Sequence, residues 1–147
     1  MKPKQSESEK RQRDLFRIDL TRIIDHSHGL FKLAKVVDWD RFEDLFGQTC
    51  CPDNGRPAIS TRLMVALHYL KYTRNLSDED VVAAWVENPY WQFFSGMRYF
   101  EHDMPIHPSS MCRWRKRIGD AGAEELLKET IKAGLQLKAI KVHQLDV

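Results

Sequence analysis

The sequence predicts an all-α fold: a compact multi-helix domain with a helix-turn-helix-like core and a long C-terminal helix. Three observations predict it. Apolar residues recur at three- and four-residue spacing through most segments after the first thirteen residues. Capping residues, among them Asp38, Ser60 and Ser77, stand directly before those segments. Strand-like alternation is absent, although the short apolar stretch Val142–Val147 has the composition to begin a strand.

The elements follow in order. Met1–Arg13 is polar with mixed charge and no apolar periodicity, so it reads as a disordered tail. The helical domain then spans residues 14–140. Asp14–Ile24 starts it, with Leu15, Ile18 and Ile23 giving a helix an apolar side. His26-Ser-His-Gly interrupts that helix. Histidines at i and i+2 point to different sides of a helix, so they read as linker residues rather than a metal pair. Leu30–Val37 carries a second helical pattern. Asp38 caps Trp39–Phe46, where Trp39, Phe42, Leu45 and Phe46 form an aromatic-rich stripe of the kind that builds a core.

Gln48–Pro57 is a loop by its Gly, Pro, Asp and Asn content. Ser60 or Thr61 caps Arg62–Arg74. Its apolar residues occupy two sides: Leu63, Leu67 and Leu70 on one, Val65, Tyr69 and Tyr72 on the other. A helix apolar on two sides is buried between neighbours, so this is the central helix. Asn75-Leu76 turns the chain. Ser77-Asp-Glu-Asp80 then has the layout of a capping box. Val81, Val82, Trp85 and Val86 line the inner side of the next helix, which Asn88-Pro89 ends. Its acidic start makes it a poor recognition helix.

Tyr90–Phe100, YWQFFSGMRYF, is densely aromatic. Such rings can stack on unpaired bases; filling the space between helices is the favoured reading, with Ser95-Gly96 as a bend. After a loop with two prolines, His107–Gly119 reads HPSSMCRWRKRIG. Pro108 marks the break and Ser109 or Ser110 caps. Met111, Trp114 and Ile118 form an apolar stripe, and Arg113, Lys116 and Arg117 share the opposite face. Gly119 is a candidate C-cap. Ala121–Ile140 follows as a long helix with Leu127, Ile131 and Leu135 on its expected buried side, an i, i+4 pair from Glu124 to Lys128, and Gly134 as a weak point.

The 147 residues carry 42% hydrophobic and 30% charged side chains, enough for one domain with a core. The net charge of +2 does not mark a nucleic-acid binder by composition, so a DNA role must come from a local basic face. Cys50, Cys51 and Cys112 fit neither a secreted disulfide framework nor a zinc clasp and read as free thiols. No stretch reaches the ~20 apolar residues of a membrane span, and no secretory signal opens the chain. The expected location is the cytoplasm, with no membrane partner and no cofactor.

Taken alone, the Arg113, Lys116 and Arg117 face fits a solvated helix surface slightly better than a DNA contact. A longer pattern shifts that balance. Leu15–Phe46, then Gly55-Arg-Pro, then TRLMVALHYLKYTRNLSDEDVVAAWVENPYWQFFSG (Thr61–Gly96), then PIHPSSMCRWRKRIG (Pro105–Gly119) resemble the N-terminal domain of bacterial insertion-sequence transposases of the InsH type. The resemblance covers nearly everything after the polar tail.

The resemblance implies a helical domain that binds the terminal inverted repeats of a mobile element. It also implies a following ribonuclease-H-like domain, in which an Asp-Asp-Glu triad holds two divalent metals for strand cleavage and transfer. The family's first catalytic Asp lies in a Val-Asp-Thr-Thr stretch just beyond the part that Leu137–Val147 matches. Asp146 is followed by no Thr-Thr, so none of the triad carries over, and residues 141–147 read as the start of a missing catalytic domain. No catalytic residue and no metal ligand are expected in this chain, which on this view is a truncated, non-enzymatic module.

The leading expectation is therefore a double-stranded DNA partner. Arg113, Lys116 and Arg117 are the contact residues, Arg115 lies in the same run, and Arg56, Lys71 and Arg74 are secondary candidates. The alternative is a helical protein-interaction module that dimerises, docks on a catalytic domain or pairs with full-length transposase. An ordinary helix-turn-helix regulator ranks third, because no basic second helix follows Asn75-Leu76.

Overall fold

A computed structural model describes residues 17–50 and 59–145 and arranges them as helices joined by short turns. They are α1 (Leu20–Ile23), α2 (Gly29–Val36), α3 (Trp39–Phe46), α4 (Thr61–Arg74), α5 (Asp78–Glu87), α6 (Pro89–Phe94) and α7 (Pro108–Leu145), with a 3₁₀ turn at Gly47–Cys50. Among the described residues the fold is all-α. The one β-type contact is an isolated antiparallel bridge between Asp19 and Tyr99. No helix among these residues is long and apolar enough to cross a membrane. The polar tail, Arg56, Cys51 and Asp146 lie outside the described residues.

Side chains that satisfy the free N–H groups set the helix starts. Asp38 accepts from Arg41 N, Ser60 from Leu63 N, and Ser77 from Asp80 N. Asn88 both follows α5 and caps α6, accepting from the backbone of Tyr90 and Trp91. Proline at the first position of α6 lacks only an N–H that would have had no helical partner. Asn75 ends α4 in the left-handed region, at φ 54°, a conformation that asparagine tolerates better than most residues.

Several expectations from the sequence need correction. The first helix is short: Leu20–Ile23, started by Asp19, which accepts from Thr21 N at 3.1 Å. Neither serine caps α7. Pro108 already occupies the first turn, and His107 Nδ1 accepts from Ser109 N at 3.1 Å. The helix continues through Leu145, where a strand was expected to begin. It is interrupted at Gly119, whose φ of 64° and ψ of −170° are not helical; that backbone region is essentially restricted to glycine. So the expected break at Gly119 is present, and it divides α7 into a first half and a second half.

The core forms around α4. Leu63, Met64, Ala66, Leu67 and Leu70 on this helix are buried, as is Val65 on the other side. Helices α3, α5, α6 and α7 all pack on it, as a helix apolar on two sides requires. The aromatic segment fills space inside the fold. Phe94 packs against Trp39 and Tyr69, both at 5.3 Å between ring centroids. Buried Gln92 makes this filling possible: its amide nitrogen donates to the carbonyl of Glu101 at 2.8 Å, and its amide oxygen accepts from Glu101 N at 2.6 Å. Trp85 Nε1 donates to the buried Ser95 hydroxyl at 2.9 Å. Trp91 and Phe94 are buried, so these two rings are wall and not stacking platform.

Candidate nucleic-acid interface

The first half of α7 is fixed on its inner side by Met111 and Trp114, both almost completely buried. Trp114 packs edge-on against Phe46 at 5.4 Å and meets His68 at 4.8 Å. Its indole N–H donates to Thr49 Oγ1 at 3.0 Å, and that hydroxyl donates to the Phe46 carbonyl at 2.6 Å. The 3₁₀ turn therefore serves as the seat on which this helix is indexed. An indexed helix presents a defined outer face.

That outer face is basic. Arg113, Lys116 and Arg117 are all exposed. Arg113 turns back to its own helix start, donating to Ser109 Oγ at 2.8 Å. Arg117 donates to the Thr49 carbonyl at 3.1 Å. Neither guanidinium faces a carboxylate in these bonds. Each spends part of its donor set on neutral oxygens and meets no carboxylate among the described residues, and five donors leave room for an anion as well.

Arg115 behaves differently, although it lies within the same run. It reaches inward and grips Asp78 with a two-pronged bond, at 2.9 and 2.7 Å. A planar guanidinium matches a carboxylate in this way better than any other cation does. Asp78 is also 3.7 Å from Lys71 Nζ, and Lys71 donates to the Leu76 carbonyl at 3.1 Å. One carboxylate at the start of α5 thus ties the end of α4 to the middle of the first half of α7. Arg115 and its hydrogen bond hold the Asp78 carboxyl below the usual carboxylate range, against a smaller opposing effect of burial. The same bond raises Arg115.

His68 completes this cluster and is fully buried. Its Nδ1 lies 2.7 Å from the Met64 carbonyl and its Nε2 3.2 Å from Arg115 Nη1. A carbonyl can only accept and a guanidinium can only donate. The arrangement therefore requires the neutral ring protonated on Nδ1. Burial first, then the neighbouring Arg115 and Lys71 charges, push the His68 pKa down to about 4, with the Met64 bond and Asp78 opposing. The sequence reading missed His68 because a histidine within an apolar helix pattern carries no mark of its polar neighbours. The one available signal was an acidic residue at a helix start together with an arginine in a basic run.

The remaining candidates are scattered. Arg74 is exposed at the end of α4. A further arginine that the sequence reading did not single out, Arg62, closes the C-terminal end of α6 by donating to the carbonyls of Phe94 and Phe93 at 3.0 and 3.2 Å, with its guanidinium over the Trp39 ring. Burial lowers its pKa, and its role is that of a helix cap. His26 and His28 are spent on local structure: His26 stacks on Phe31, and His28 Nδ1 accepts from Leu30 N. Among the described residues, no group of three or more His, Cys, Asp or Glu side chains is gathered as a metal ion would need.

Two comparisons bear on this face. The family described as "Transposase domain (DUF772)" matches residues 18–117, from before α1 to the last exposed arginine of the basic face. A protein of Rhizobium meliloti named "Uncharacterized protein ORF8 in nfe locus" is 51% identical over 146 residues, which is 99% of this chain and 69% of the relative. No solved structure matches the chain.

Proposed function

Since the chain belongs to the transposase-domain family DUF772, we propose that it is the DNA-binding module of an insertion-sequence transposase and recognises the terminal inverted repeats of the element. The observation that carries this reading is the first half of α7: its apolar side is locked on the core while Arg113, Lys116 and Arg117 leave from the exposed side. A rigid helix with cations one turn apart presents them to successive phosphates or to the edge of a groove. In this reading Arg113, Lys116 and Arg117 touch DNA, and Arg74 and Arg56 add contacts. Arg115 and Lys71 act differently: they hold Asp78, and with it the angle of the helix. The module is not an enzyme. Strand cleavage belongs to a separate catalytic domain with an Asp-Asp-Glu triad and divalent metals, and no residue of this chain is assigned to that triad. The module works on DNA in the cytoplasm.

The test is retention of a duplex carrying the element's terminal repeat in a gel shift. The triple variant Arg113→Ala, Lys116→Ala, Arg117→Ala should lose retention and keep its helical circular dichroism. Arg115→Ala should instead lose stability, by about 2–4 kcal/mol, because it leaves a partly buried carboxylate without its strongest partner. Unchanged retention by the triple variant would remove the basic face from the account. A second reading, a helical interaction module without DNA affinity, rests on the exposed Leu127, Ile131 and Leu135.

A further inference from the structure

An open groove of about 440 Å³ lies between the start of α1, the end of α2, the first turn of α4 and the chain that leaves α6. Its wall carries three cations, Lys35, Arg62 and Arg98, and one carboxylate, Asp19. Phe93 and Met97 supply apolar surface beside them. No residue of α7 lines the groove, so it is separate from the basic face. Its size is that of a small-ligand site, and such sites combine an apolar wall with a few placed polar groups.

The cations are placed by bonds that leave donors over. Arg62 caps α6 through Nε and Nη2. Its Nη1 has no hydrogen-bond partner among the described residues, where no unpartnered side-chain nitrogen is buried, so Nη1 reaches solvent. Gly96 makes room for this arginine: its φ is 95°, and a Cβ there would stand 3.0 Å from Arg62 Cδ. Arg98 gives only Nε to Asp19, at 3.3 Å, and both terminal nitrogens of its fork stay unbonded among the described residues. Asp19 also accepts from Thr21 N at 3.1 Å and the Thr21 hydroxyl at 2.8 Å. It therefore anchors Arg98 without using up the fork. Lys35 Nζ rests over the Phe31 and Phe93 rings, 5.2 and 5.9 Å from their centroids. Rings of this kind direct a cation without neutralising it. Three positive charges against one negative leave the groove with an excess of two. A concave, partly apolar wall focuses that field. Guanidinium forks match the oxygens of a phosphate, and the apolar wall suits the organic group that a phosphate ester carries.

We propose that this groove is a phosphate-ester site, in which Arg62 Nη1, the Arg98 fork and Lys35 hold the phosphate while Phe93 and Met97 take the organic group. Two sources present that chemistry: a phosphodiester of a DNA strand and a free nucleotide. The site stands apart from the basic face of α7, and filling it requires no recognition of terminal repeats.

Backbone amide NMR of the full chain tests it, with inorganic phosphate titrated against chloride at equal ionic strength. Phosphate should give saturable shifts centred on Lys35, Arg62, Gly96, Met97 and Arg98. Lys35→Gln combined with Arg98→Gln should weaken the affinity at least tenfold and keep the fold, since both side chains are exposed. Lys35→Gln alone, which leaves the Arg98 bond to Asp19 intact, should still weaken it severalfold. Competition separates the sources. Displacement of phosphate by the terminal-repeat duplex would make a DNA strand the source, and displacement by thymidine monophosphate but not by the duplex would make it a free nucleotide; either result supports the site. The Arg113→Ala, Lys116→Ala, Arg117→Ala variant should bind phosphate as wild type does, so a failure of the basic face and a failure of the groove are told apart. Shifts that do not saturate, shifts confined to α7, or equal affinity of wild type and the Lys35→Gln, Arg98→Gln variant would each overturn the proposal. So would bound phosphate that neither the duplex nor the nucleotide displaces.

Discussion

The two halves of α7 have the same kind of sequence and opposite environments. On the N-terminal side of Gly119, the large apolar residues Met111 and Trp114 are inside, and Arg113, Lys116 and Arg117 are outside. On the C-terminal side, the large residues Leu127, Ile131 and Leu135 are outside, while Leu126, Glu129 and Ala133 face the core. Gly119 makes the difference possible. With φ at 64° it interrupts the helical path, so the second half need not continue the facing of the first. The contrast teaches that periodicity identifies a stripe without identifying the surface that covers it. In the first half the cover is the rest of this domain. In the second half the domain takes a narrower stripe, and the wider one stays exposed.

The comparison can be broken most strongly at Trp114. Trp114→Ala removes a fully packed ring and the indole bond to Thr49, and should cost about 3–5 kcal/mol in urea unfolding. Ile131→Ala, measured in dilute protein where any dimer has dissociated, should cost no more than about 0.5 kcal/mol. Equal costs would mean that the two halves are not differently packed.

The next effect is a pH dependence confined to the first half. His68 titrates near 6.5 when unfolded and at about 4 when folded. Between those values the unfolded chain binds more protons, so stability rises with pH through that window. The contribution is fully present above pH 6.5 and is lost as pH falls toward about 4; it amounts to up to about 3 kcal/mol. Asp78, held low by Arg115, adds a further loss only below its ordinary range near 3.8. Unfolding curves at pH 7 and pH 4.5 should separate for wild type and converge for His68→Leu. A smaller effect sharpens the hinge itself. Gly119→Ala meets no steric neighbour but must adopt a backbone conformation nearly reserved for glycine, at a cost of about 1–3 kcal/mol. An unchanged midpoint would mean that the two halves are one straight helix.

Much of this arrangement is legible in the sequence. The caps at Asp38, Ser60 and Ser77 depend on neighbours three residues away, and local chemistry predicts them well. The two-sided apolar pattern of α4 announces its central place. The break at Gly119 and the inner stripe of the first half of α7 follow the same local logic. What could not be read is long-range. Arg115 and Asp78 are 37 positions apart in sequence, and only the fold brings them to 2.7 Å. Within the run Arg113 to Arg117, sequence alone gives no reason why one arginine turns inward and its neighbours do not. Nor does periodicity distinguish Leu126 from Leu127, adjacent residues of the same type with opposite fates. At the level of a transposase-domain family, the resemblance agrees with the match to residues 18–117.

The basic face of the first half is the centre of the account, and its salt dependence tests it most directly. Each phosphate contact releases condensed counterions, so the slope of log affinity against log salt counts the cations engaged. The measurement is that slope for the terminal-repeat duplex, with wild type and with the Arg113→Ala, Lys116→Ala, Arg117→Ala variant. The account predicts that the variant's slope is shallower by about 2–3, the amount expected for three lost phosphate contacts. Equal slopes for the two proteins would contradict it, because the three exposed cations would then be meeting only water.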